Sequence, residues 1–178
     1  MSIVNILFLC IVILYIIFTL SFFIGWKRIK VYKFSNKILK TKVSIIVVAR
    51  NESLYIYNCL IDIINQQYSN ELFQIIFVDD NSDDNTVEIV ENIIKLFPKF
   101  DIRILHLEDR IENISFKKYG IESAIKISNG DLIVTIDADC RVGNEWLKTI
   151  VSYYQENKSK MIVSPVCFFD EKSFFEKL

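Results

Sequence analysis

The chain has 178 residues, a formal net charge of −1, 52% hydrophobic residues, and only 4 Gly and 2 Pro. That length accommodates one domain with its own core beside a short membrane segment, and the charge excludes the basic footprint of a nucleic-acid binder. The four cysteines, Cys10, Cys59, Cys140 and Cys167, include no C-x-x-C pair, so isolated thiols in a reducing compartment are expected rather than a zinc site or a disulfide framework.

No charged residue occurs in positions 1–26, and residues 3–24 are almost wholly apolar. A spanning helix needs about 20 such residues. A secretory signal peptide would carry a basic n-region and a small-residue cleavage site, and neither is present, so a retained anchor is predicted. Lys27, Arg28, Lys30, Lys33, Lys37, Lys40 and Lys42 follow with no acidic residue among them. A basic flank of this kind stays on the cytoplasmic side, which places the remainder of the chain in the cytoplasm. Trp26, Tyr32 and Phe34 suit an interfacial belt, and the basic stretch suits anionic head groups as an accessory contact. The expected organisation is a membrane helix over 1–26, a basic juxtamembrane linker over 27–42, and a domain from 43 to 178.

The domain alternates strand and helix. Residues 43–49 (VSIIVVA), 75–78 and 132–136 are apolar runs rich in β-branched residues, which predicts strands buried on both faces of a parallel sheet. Leu54, Tyr57, Ile61 and Ile64 read as one helical stripe, and Val87, Val90, Ile94 and Phe97 as another, ended by Pro98. Residues 102–107 mix polar and apolar positions as an edge strand does. A helix over 144–156 presents Leu147, Ile150, Val151 and Tyr154, and a last strand is expected near 161–166. The order predicts an α/β fold with right-handed crossovers and a ligand site at the carboxyl edge of the sheet.

Two acidic clusters fall where buried strands end. Asp79 and Asp80 close the second strand and are placed to accept hydrogen bonds from a base or ribose, while Ser82, Asp83 and Asp84 read as caps of the next helix. Asp137 and Asp139 form a D-x-D after the fourth strand. Two carboxylates on such a turn suit a hard divalent cation, which commonly takes one or two carboxylates plus substrate phosphates.

Four segments carry a family resemblance: VSIIVVARNE (43–52), IIFVDDNSDDNT (75–86), FKKYGIESAI (116–125) and GDLIVTIDADCRVGNEWL (130–147). In order and spacing they resemble the family 2 glycosyltransferases of the GT-A fold, especially membrane-anchored processive or lipid-linked members. The resemblance implies a glycosyltransferase that uses a nucleotide-sugar donor, UDP-linked above all, a glycan or lipid acceptor, and Mn²⁺ or Mg²⁺. It implies that Val48, Ala49, Arg50 and Glu52 line the base and ribose, that Asp80 bonds the base, and that Lys117 lies near the donor. Asp139 is implied as metal ligand, with Asp137 nearer the ribose or sugar and a second candidate ligand. Phe116 stands where the family has glycine before the lysine, and Gly120 and Ala124 occupy its small-residue positions.

Family members carry a general-base aspartate well beyond the D-x-D, often in an E-D pair, and many membrane members a Q-x-x-R-W motif. Neither occurs between Asp139 and Leu178, and Asp170 and Glu171 come too soon. The resemblance therefore predicts the donor half of a sugar transfer, binding nucleotide and metal but transferring sugar poorly alone. A second chain completing the acceptor half, or an inactive membrane scaffold, are the alternatives. A receiver module would need its acidic pair after the first strand, and a haloacid-dehalogenase-type phosphatase would open on its D-x-D, so neither register fits.

Overall fold

A computed structural model describes residues 2–29, 31–32, 38–107 and 115–167. Lys30, Lys33, Phe34 and Lys37 of the basic flank, and Asp170 and Glu171, lie outside the described residues. The chain divides into two compact units, Met1–Lys33 and Phe34–Leu178.

The first unit contains α1 (Ile3–Arg28), whose 26 residues rise roughly 39 Å and are long and apolar enough to cross a membrane. Ser2 caps the N-terminus by accepting from the Asn5 N–H, and the Thr19 and Ser21 hydroxyls donate to the Tyr15 and Phe18 carbonyls at 2.9 and 2.7 Å. The Lys27 ammonium stands 5.1 Å from the Phe23 ring centre, so its stem runs along the apolar surface to a charged tip.

In the second unit, β1 (Val43–Ala49), α2 (Ile56–Ile64), β2 (Phe73–Asp79), α3 (Thr86–Leu96), β3 (Asp101–His106), α4 (Phe116–Ile127), β4 (Leu132–Asp137) and α5 (Trp146–Asn157) follow in order. All strand pairs are parallel, in the order β3-β2-β1-β4. Alternate residues of the two central strands feed two cores. Val43, Ile45 and Val47 of β1 with Ile75 and Phe77 of β2 pack against Leu60 and Ile63 of α2, Val90 and Ile93 of α3, and Leu147 and Val151 of α5. Ile46, Ile76 and Val78 face the other way, onto Ala124, Tyr119 and Ile121 of α4. Each fully buried aliphatic side chain contributes about 1.5–3 kcal/mol, which explains why these strands read as continuous apolar runs.

Four expectations change. The α2 stripe is Ile56, Cys59, Leu60, Ile63 and Ile64, whereas Leu54 and Tyr57 are exposed, because residues 53–55 form a turn and the helix starts later. β4 is a half-exposed edge strand, since Thr135 and Asp137 have no covering layer. Residues 161–167 form no strand, and Met161, Val163 and Val166 are exposed; an apolar run becomes a strand only where a ladder partner receives it. Asn85, the residue before α3, makes no side-chain cap; of the expected caps Asp84 accepts the Thr86 N–H at 3.0 Å, whereas Ser82 and Asp83 bond Asn51 instead. All four cysteines are free thiols.

Candidate functional site

Register brings the acidic motifs together. Val48 pairs with both Val78 and Asp137, and Ala49 pairs with Asp79, so β1, β2 and β4 end level and release Arg50, Asp80 and Ala138 at one edge. The order β3-β2-β1-β4 reverses direction between β1 and β4, and a crevice at such a switch point is where open α/β sheets take ligands.

A cleft of about 450 Å³ opens at this edge, within the roughly 300–1,000 Å³ of small-molecule sites. Val48, Ala49, Arg50 and Glu52 form its β1 side, Asp80 its β2 side, and Ser115, Phe116 and Lys117 the start of α4. Asp80 is only 6% exposed. Its N–H bonds the Ala49 carbonyl at 2.9 Å, and its carboxylate stands 4.0 Å from the Arg50 guanidinium. Lys117 donates to the Asp137 carboxylate, joining the first turn of α4 to the end of β4. Asp139 does not line the cleft; it is exposed on the turn 138–139. Its charge nevertheless reaches Glu52, whose carboxyl is held above its usual range by burial and then by Asp139, Asp84 and Asp137.

Asp79, expected to face a base or ribose, is used by the scaffold instead. Its carboxylate accepts the Ser82 N–H at 3.1 Å and stands 3.2 Å from His106 Nδ1 on β3. Lys118 is exposed on α4, as a solvated helix face requires.

The loops after β1 and β2 are tied to each other. Asn51 and Asn81, each two residues past a strand end, take φ of 57° and 53°, the left-handed region that Asn tolerates better than other side chains. The Asn51 N–H donates to Ser82 Oγ and its side-chain oxygen accepts from the Asp83 N–H, at 3.1 and 2.8 Å. The Glu52 N–H donates to Thr86 Oγ1 and the Ser53 N–H to Asp84, at 2.8 and 3.2 Å. Asp84 also accepts the Thr86 hydroxyl. That hydroxyl, ahead of the Ser53 contact, holds Asp84 down at about 2, so this lock stays ionised over the whole neutral range.

A second brace holds the D-x-D turn. Arg141 grips Asp62 of α2 through two bonds of 2.6 and 3.0 Å, and Asp62 also accepts the Val142 N–H at 3.2 Å. Gln66, 6% exposed, donates to the Gly143 carbonyl and accepts from the Leu147 N–H at 2.8 and 2.9 Å. The Cys59 thiol meets the Asp137 carbonyl at 3.7 Å, and burial pushes that thiol up to about 12, which leaves it an inert packing group. Sequence reasoning missed these braces, as well as Ser115 and Phe116 in the cleft wall. The matching A-R-N and D-D-N runs after two strands were the available signal for the first brace. Long-range partners such as Gln66 and Gly143 leave no local pattern.

Among the described residues, no group of three or more His, Cys, Asp or Glu side chains is gathered closely enough to hold a metal ion by itself.

The family model described as Glycosyl transferase family 2 matches residues 44–178. The beta-monoglucosyldiacylglycerol synthase of Trichormus variabilis is 28% identical over 116 residues, which are 65% of this chain and 24% of that protein. The crystal structure of residues 1–349 of S. aureus TarS in complex with UDP-GlcNAc matches with a TM-score of 0.57 and 25% identity, over 73% of this chain and 38% of that one. A mannosyltransferase from Pyrobaculum calidifontis in complex with GDP-Man and Mn²⁺ shares the fold at a TM-score of 0.62 and 21% identity, over 73% and 37%. The chain thus spans well under half of each of these three proteins.

Proposed function

Because this chain belongs to glycosyl transferase family 2, we propose that it binds the nucleotide-diphosphate part of a sugar donor and serves sugar transfer to a glycan or lipid acceptor. The sheet order, with helices on both faces, is the GT-A arrangement. The observation that carries the donor reading is the convergence of Val48, Ala49, Arg50, Glu52, Asp80 and Lys117 on one cleft at the switch point. The TarS structure holding UDP-GlcNAc supports a uridine donor.

In this reading Asp80, fixed by its buried backbone, accepts an N–H from the base, and the Arg50 guanidinium 4.0 Å away orients that carboxylate. Glu52 lies at the ribose side, held by the Thr86 bond. Lys117, held by Asp137 from outside the cleft lining, is the polar wall toward the diphosphate. The residues also fit a divalent cation. Asp139 and Asp137 present oxygen ligands on one turn, their charges already crowd Glu52, and a diphosphate supplies the remaining oxygens, so no three-carboxylate cage is required. Asp139 and Asp137 would hold the ion, which when bound neutralises charge on the departing diphosphate.

The domain boundaries belong to the same proposal: α1 is a membrane anchor, 27–42 a basic linker, and 43–178 the donor domain. Lys27 and Arg28 at the end of α1, with Lys40 and Lys42 further on, orient that domain to the cytoplasm, where activated sugars are made.

A thermal-shift panel of UDP, GDP and CDP with Mn²⁺, on the 178-residue chain in detergent, tests the base assignment. UDP is expected to raise the melting temperature most, and Asp80→Ala to remove that preference, since an unpaired buried donor costs about 1–3 kcal/mol. Equal shifts for all three nucleotides in both proteins would refute the Asp80 role.

A further inference from the structure

Phe116 is the least expected member of the cleft wall. It stands in the first turn of α4 between Ser115 and Lys117, and all three line the same cavity. Successive helical residues point about 100° apart, so Phe116 and Lys117 serve different parts of that cavity. Lys117 is committed to Asp137 at the β4 side. Phe116 adds a half-buried phenyl ring to a wall whose other apolar members are Val48 and Ala49.

The cleft therefore combines three things: a flat aromatic surface, an aliphatic floor, and the deeply buried carboxylate of Asp80, 4.0 Å from the Arg50 guanidinium. A diphosphate, anionic and without an apolar face, matches none of these, and a sugar has no planar ring to lay flat on the phenyl. A heteroaromatic base matches all, with a π-face for the ring and an N–H edge for the carboxylate. Stacking of a base on an aromatic side chain is sequence-tolerant and strong for its size.

We propose that Phe116 stacks on the nucleobase of the donor and is the residue that makes this cleft prefer a nucleotide over a bare diphosphate. The inference rests on the donor-binding reading and assigns the base half of that site. Phe116 contributes binding and positioning; it touches no reacting atom.

The test titrates UDP and inorganic pyrophosphate, each with Mg²⁺, into the full chain in detergent, comparing the parent with F116A, F116L and F116Y. Leucine keeps apolar bulk but has no π-face, and tyrosine keeps the ring. UDP affinity is expected to fall roughly tenfold in F116A and F116L, to stay within twofold in F116Y, and pyrophosphate affinity to be unchanged in all. UDP binding by F116A equal to the parent's overturns the inference and leaves the donor reading intact. F116Y binding as weakly as F116A, or UDP and pyrophosphate weakening together, overturns it too. A folded parent chain that binds neither ligand removes the donor reading itself, and the stacking role with it.

Discussion

Asp139→Ala is expected to weaken metal-dependent UDP binding by about 100-fold while leaving the fold intact. Partners one shell out from a metal already cost 10–100-fold when removed, and Asp139 is proposed as a direct ligand. The side chain is exposed on a turn, its neighbour contact is with the half-buried Cys140 thiol, and its loss relieves the crowding that raises Glu52. The stability of the domain is therefore expected to hold or rise slightly, which separates a binding defect from unfolding. Asp131→Ala is the charge-matched control. It removes one exposed carboxylate from the start of β4, at the opposite edge of the sheet, and should bind UDP as the parent does. Calorimetric titration of all three proteins with UDP and Mn²⁺ checks this. Parent-like affinity in Asp139→Ala would take the metal away from the D-x-D.

Gly130→Ala is expected to be the most destabilising single methyl that can be added to this domain's glycines. A Cβ there would stand 2.4 Å from the Ser44 N and 2.6 Å from the Val43 carbonyl carbon, backbone atoms of the central strand that cannot turn aside. Gly130 also donates its N–H to Ser44 Oγ at 2.9 Å, where the Gln74 amide donates as well. Relief requires β4 to move away from β1, which disturbs the register that levels Asp137 with Val48. Overpacking of this kind costs about 3 kcal/mol or more, and a fall of about 10 °C in melting temperature follows for a domain of this size. Gly120→Ala supplies the contrast. Its Cβ meets only side-chain methyl groups, of Val78, Val48 and Leu107 at 3.1, 3.3 and 3.5 Å, and alanine improves a helix interior by about 1 kcal/mol, so the two effects nearly cancel. Equal melting temperatures for Gly130→Ala and the parent would show that the strands yield more easily than the packing implies.

What could be read from the sequence was set by periodicity and by strand ends. Val43–Ala49 and the runs leading to Asp79 and Asp137 were legible because a strand buried on both faces leaves an uninterrupted apolar run. Asp80, Asp137 and Asp139 followed from their positions just past those runs. The phase of α2 was not legible, because YIYNCLIDII is apolar enough to fit several stripes, and the turn at 53–55 that selects one depends on the Thr86 and Asp84 bonds. The role of Asp79 was misread for a similar reason. Adjacent aspartates look alike in sequence, yet His106 and the Ser82 N–H on neighbouring elements engage one, and the cleft receives the other. Residues 161–167 read as a strand from composition alone, but pairing is a property of two segments. Phe116 was visible only as a departure from a family pattern; its place in the cavity wall required the α4 start to be set against β1.

This chain is expected to hold a working donor site. Calorimetric titration of UDP into the 178-residue chain in detergent, once with Mn²⁺ and once with a chelator, tests it most directly. Saturable one-site binding is expected with Mn²⁺, weakening at least tenfold when the metal is removed. A folded chain that gives no binding heat with UDP or GDP in either condition would contradict it, and would make the domain a membrane scaffold built on a glycosyltransferase fold.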